Sequence, residues 1–246
     1  MLPIVGVCLK RAFVKATRLF LLLLVAGVLV ITRPWELLPR HWKPWAPLRL
    51  EDPPTAVTHK KLAALEEEPE TCLAVLATAR DALDYLPLDD YTPVESCPLT
   101  NVVRVSSTTL AFNAPVTLSC PLLVRWLMFE QQALQPLALK HLGSPVARLE
   151  HYGSFACRNV YGRESARRSE HATASAFDVA GFEFENGQRV NVLEDWHDSD
   201  EPQDSMFLRE AHDAACKYFG TVLGPDYNAP HENHFHVDTS RFKLCR

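Results

Sequence analysis

The sequence predicts an α+β fold: a small antiparallel sheet with flanking helices, behind an N-terminal segment that anchors the chain in a membrane or exports it. Three observations carry this. Apolar residues recur at helical spacing in the first part of the chain, whereas polar and apolar residues alternate in the second. Asn186-Gly187 lies between two alternating stretches and signals a hairpin turn. An apolar run of thirteen residues, Leu19 to Ile31, follows Lys10, Arg11, Lys15 and Arg18.

The elements follow in order. Basic residues before an apolar run stay in the cytoplasm while the rest of the chain is exported. Thirteen residues suit a signal-peptide core and are short for a bilayer span of roughly 17–25. No A-x-A cleavage site follows, and Trp35, Trp42 and Trp45 come next among prolines, Arg40 and Lys43. Such residues favour the membrane–water interface, so residues 1–33 read as an uncleaved signal anchor; a cleaved signal is the other reading. Residues 34–58 are a Pro/Trp-rich juxtamembrane linker, and the domain occupies 59–246.

Within the domain, His59 to Ala79 reads as helix broken near Pro69, and 84–98 as loop, with Pro87, Pro93 and Pro98 as breakers. Asn101 to Val105 and Leu110 to Leu118 read as strands. Ser119 is placed to cap a helix from Pro121 to Leu142, kinked at Pro136 and stopped by Gly143. Val146 to His151 reads as a strand. Ala176 to Glu183 and Gln188 to Val192 form the hairpin, Met206 to Phe219 a helix, and Asn233 to Asp238 the last strand. The acidic run Glu66-Glu67-Glu68 reads as a solvated face.

Composition narrows the function classes. Hydrophobic residues at 47% and charged residues at 22% are globular values. Residues 1–50 carry eight Lys/Arg and one acid, Glu36, a net +7, so residues 51–246 sum to −12. An acidic body excludes nucleic acid as a natural partner, since phosphate binding needs a basic face. Cys8 precedes the apolar run and stays reduced. In an oxidising compartment the other six cysteines read as up to three disulfides, with 15 connectivities open.

Two histidine-bearing clusters carry the chemistry: Ser169 to Asp178 and His231 to Asp238. His171 and Asp178 are seven apart, which fits neither one helix face nor one strand face. It fits a loop presenting His171 and a strand, starting near Ala176, presenting Asp178. Asp178, Ala180 and Phe182 then share one face, and a carboxylate among apolar neighbours needs a partner such as a metal. His234 and His236 share a strand face, with His231 in the turn upstream. One carboxylate and two histidines fill three corners of a zinc tetrahedron and leave one for water, the pattern of catalytic zinc. Ser169 reads as a cap for the His171 loop rather than a nucleophile.

The pattern S-x-H-x-x-x-x-A-x-D followed by H-x-x-H-x-H resembles the zinc peptidases grouped as lysostaphin, D-alanyl-D-alanine carboxypeptidase and hedgehog-like. Within that group the chain is especially similar to the extensin-like C-terminal domain of bacterial envelope proteins. The stretches are Gly153 to Arg158, Ser169 to Ala172, Asp178 to Phe182, Val222 to Asn228, His231 to Asp238 and the closing Cys245-Arg246. They run from about residue 70 to the end. The resemblance implies that His171, Asp178 and His236 hold Zn2+ on the sheet. It implies that His234 bonds the zinc water or the developing oxyanion, and that Arg158 lies near the substrate carbonyl or carboxylate. His231 matches a histidine of penicillin-insensitive murein endopeptidases. Relatives often have Gly at the position of Ala174, and several keep a Glu base where this chain has Asn233. The base candidates are therefore His231, His234 and Glu232, in that order. The implied activity is hydrolysis of peptidoglycan peptides by a zinc-activated water, in the periplasm, from an inner-membrane anchor. The alternative is a non-catalytic cell-wall-binding module that keeps the zinc site.

Overall fold

The computed structural model describes residues 4–197 and 201–246, with side chains from residue 14 onward except Arg80. The expectations placed on the Cys8, Lys10 and Arg11 side chains lie outside the described residues.

The first helix, α1 (Ile4–Thr32), is longer than the apolar run suggested. Val14–Thr32, 19 residues, is long and apolar enough to cross a membrane, and a signal sequence passes the same test. Lys15 and Arg18 do not end the helix, because both are good helix formers. The linker beyond it packs onto the domain. Leu48 and Leu50 are buried in the core, and the Arg40 guanidinium donates to the Pro47 carbonyl at 2.8 Å.

The domain is α+β, but its sheet is not small: nine strands join it among the described residues. They are β1 (Asp84–Pro87), β4 (Val102–Ser107), β5 (Ala111–Ser119), β6 (Val146–Gly153), β7 (Ala176–Phe184), β8 (Arg189–Asn191), β9 (Thr221–Leu223), β10 (Phe235–Asp238) and β11 (Leu244–Cys245). Their order is β1-β4-β5-β6-β7-β10-β9-β11, with β8 also on β7. The sheet is mixed rather than antiparallel, because β5–β6 and β9–β11 pair in parallel. A separate ribbon pairs β2 (Tyr91–Val94) with β3 (Cys97–Leu99). The stretch 84–98 is thus largely strand. Pro87 ends β1, an edge strand, and edges tolerate the missing N–H.

Helices α2 (Ala56–Ala64) and α3 (Pro69–Leu76) divide at Pro69 as expected. The long helix is α4 (Cys120–Phe129), a π turn over Glu130–Leu134 and α5 (Gln135–Leu142), closed by Gly143 at φ 63°. Ser119 precedes it without a side-chain cap bond. The π turn puts Glu130 in the core, where it accepts hydrogen bonds from Thr108, Thr109 and the Trp126 indole. Two further helices are the short α6 (Val192–Asp195) and the 14-residue α7 (Pro202–Ala215). Trp126 stands edge-on to Phe177 of β7 at 5.5 Å, joining α4 to the sheet.

The strand face expected to hold Asp178, Ala180 and Phe182 together breaks. His151 pairs with Val179 and Glu150 with Gly181, leaving Ala180 as an extra, bulged residue. The parity shift puts Phe182 in the core with Phe177 and Val179. Asp178 keeps the site face. Three disulfides close the fold among the described residues: Cys72–Cys120, Cys97–Cys157 and Cys216–Cys245.

Candidate metal centre

The last strands build the site. β10 pairs antiparallel with β7, and His236 stands directly opposite Asp178. Residues opposite one another project to the same face, so ligands far apart in sequence meet there. His171 comes from a 3-10 turn, Glu170–Thr173, just before β7. The Ser169 hydroxyl accepts from the His171 N–H at 3.4 Å, the capping role read from the sequence. Ala174 ends the turn at φ 53°, a conformation that favours glycine.

Three donor atoms converge. His171 Nε2 lies 3.1 Å from His236 Nδ1 and 3.3 Å from Asp178 Oδ1. Asp178 Oδ1 lies 3.1 Å from His236 Nδ1. Zinc–ligand bonds of about 2.0–2.1 Å in a tetrahedron separate donors by roughly 3.3 Å, so this triangle has metal-ligand dimensions. The far ring nitrogens are held as ligating histidines require. His171 Nδ1 donates to the Ser154 carbonyl at 2.6 Å, which turns the Nε2 lone pair inward. His236 Nε2 donates to Asp238 Oδ2 at 3.4 Å, which turns Nδ1 inward. Asp238 is fixed in turn by the N–H groups of Thr221 (2.8 Å) and Ser240 (3.0 Å). Asp238 was not among the residues singled out from sequence. Its signal was the alternation His234-x-His236-x-Asp238.

The electrostatics favour a cation. Burial lowers the His236 imidazole, but hydrogen bonds to Asp178 and Asp238 outweigh it and hold the group up at about 9. Burial raises the Asp178 carboxyl; hydrogen bonds with His171 and His236 outweigh that and hold it far below the usual carboxylate range. Two carboxylates thus stabilise positive charge between the imidazoles, where a metal dication would replace a proton.

The other expected residues divide. His231 is buried beside the triad, with ring centroids 5.2 Å from His234 and 5.8 Å from His236. Burial, then the neighbouring histidines, lower it to about 4, so it stays neutral near neutral pH. His234 Nε2 lies 3.5 Å from Asp178 Oδ1, and its Nδ1 donates to Asn233 Oδ1 at 2.8 Å. Asn233 therefore orients His234. Arg158 lines the same cleft, of about 630 Å³. Its side chain is exposed, and its charge helps lower His234. Glu232 is exposed and outside the residues that line the cleft. Tyr161, Tyr227 and Arg241 also line it, and none was singled out from sequence.

A second donor group among the described residues, His212, Cys216 and Cys245, differs in kind. Its two sulfurs are joined in a disulfide, and His212 Nε2 bonds the Arg246 carbonyl at 3.1 Å. No thiolate is left to bind a metal.

The fold and the triad define an α+β domain with a candidate mononuclear metal centre at the edge of an open cleft. The family described as Extensin-like protein C-terminus matches residues 70–246, and the chain belongs to it. A search of curated proteins and a search of solved structures each returned no match.

Proposed function

We propose that the cleft is the active site of a zinc-dependent amidohydrolase acting on peptidoglycan peptides, with His171, Asp178 and His236 as the metal ligands. The observation that carries this is the triangle of donor atoms with edges of 3.1–3.3 Å, each histidine fixed through its far nitrogen. Zinc held there supplies Lewis acidity, which makes water nucleophilic near neutral pH and polarises a carbonyl.

The chain's own residues do the rest. His231, neutral and buried, takes the proton of the attacking water at its unprotonated ring nitrogen and returns it to the leaving amine. His234, whose Nδ1 proton is held by Asn233, turns the lone pair of Nε2 toward the cleft, where it accepts a hydrogen bond from the attacking water. Arg158 at the rim adds positive charge where the substrate carbonyl or carboxylate lies. The apolar α1 and the three disulfides support an extracytoplasmic domain held at the inner membrane, in the periplasm.

The test is turnover. Zinc-loaded protein is incubated with isolated murein, and new amines and released peptides are measured. The reading predicts both, and their loss in His231→Ala. Binding to sacculi with no new amine from any murein fragment would instead establish a cell-wall-binding module.

A further inference from the structure

The structure shows how His231 is held toward the cleft. His231 closes the short turn Ala229–His231. Its Nδ1 lies 2.6 Å from Asn228 Oδ1, and its backbone N–H donates to the Asn228 carbonyl at 2.9 Å. The other end of the same amide, Asn228 Nδ2, donates to the Tyr161 hydroxyl at 2.9 Å. Tyr227 flanks the same turn, its ring 5.6 Å from His231, and the neighbouring Tyr161 hydroxyl pushes its phenol up. Tyr161 belongs to the arginine-rich loop 158–168 and sits at φ 54°, a conformation that a bulky residue adopts only when its surroundings impose it.

We propose that Asn228 and Tyr161 are positioning residues that hold His231 with its proton on Nδ1 and its Nε2 lone pair free for the cleft. The logic is one of proton direction. The Tyr161 hydroxyl oxygen accepts from Asn228 Nδ2. The amide then has one orientation, its carbonyl faces His231, and Nδ1 must donate. The strained loop thereby sets the tautomer of a residue seventy positions further on. This rests on the reading of His231 as the base, but its test does not require turnover.

The test uses the full-length zinc-loaded chain, labelled with 15N-histidine, in nanodiscs. Side-chain nitrogen–proton correlation spectra report which ring nitrogen carries the proton, and His231→Gln identifies the His231 signals. Wild type and Asn228→Asp are expected to show a proton on Nδ1. Asn228→Leu and Tyr161→Phe are expected to populate the Nε2–H tautomer. Tyr161→Phe removes one oxygen near the surface and keeps the ring, so it serves where Asn228→Leu fails to fold. On murein, Asn228→Leu is expected to lower kcat at least tenfold with KM unchanged, and Asn228→Asp to restore it. A wild-type proton on Nε2, or a tautomer unchanged in Tyr161→Phe, overturns the proposal. The expected tautomers in a protein that cuts no murein would overturn the function alone.

Discussion

His171 Nε2 stands 3.1 Å from His236 Nδ1, although 65 residues separate the two in the chain. Lone pairs of two imidazoles repel at that distance unless a proton or a metal ion lies between them, and Asp178 Oδ1 completes the same small triangle. The local structure forces the approach. The antiparallel register places His236 opposite Asp178, and the cap at Ser169 turns His171 toward both.

Gly220 offers a test of how tightly the site is packed. A Cβ there would lie 1.8 Å from the Ser240 carbonyl oxygen, which is backbone and cannot turn away. Gly220 N–H also donates to the Asp238 carbonyl at 2.8 Å. Gly220→Ala is expected to cost about 3 kcal/mol by overpacking. It is also expected to weaken zinc binding through Asp238, the partner of His236. Urea denaturation and metal titration check both; wild-type values would contradict the packing described.

Asp204 gives a pH dependence away from the metal. Burial, then the charges of Asp195 and Glu201, push its carboxyl up to about 6, against one hydrogen bond from Gln188 at 2.7 Å. A raised carboxyl favours folding while protonated, so its contribution is full below about pH 4 and is lost as pH rises to about 6. Asp204→Asn is therefore expected to be more stable than wild type by about 1 kcal/mol at pH 8. The advantage is expected to vanish near pH 4. Denaturation midpoints at the two pH values decide it, and an advantage growing toward acid would contradict the assignment.

The Cys72–Cys120 bridge joins two fully buried residues 48 apart and ties α3 to the start of α4. Closing a loop of that length stabilises by about 4 kcal/mol in the chain-entropy view. The paired Cys72→Ala and Cys120→Ala substitution is expected to lower the urea midpoint accordingly, by more than the paired Cys97→Ala and Cys157→Ala substitution, where Cys157 is only half-buried. Equal effects would show that the bridge adds nothing beyond loop closure.

Much of this architecture was legible because its signals are local. Asn186-Gly187 marks the β7–β8 turn, with Gly187 at φ 85°, and Pro69 divides α2 from α3. The sheet was underestimated because its extra strands carry weak local signals. Thr221 to Leu223 is only three residues, buried throughout, and Leu244-Cys245 only two. Prolines in 84–98 read as breakers, although edge strands and isolated ribbons admit them. In the site, the donor residues were readable because histidines and a carboxylate alternate on short segments. Tyr161 and Asn228 were not, since their contact with each other spans 67 residues and belongs to the tertiary fold. The face of Phe182 was misread because a bulge at Ala180 leaves no mark in a period-two pattern.

The central claim is that His171, Asp178 and His236 hold one zinc ion, and zinc stoichiometry tests it most directly. Wild-type protein, purified and exchanged into metal-free buffer, is measured beside His171→Ala and His236→Ala variants shown to be folded. The account predicts one zinc per wild-type chain and loss of bound zinc in both variants. Full occupancy retained in either variant would contradict it.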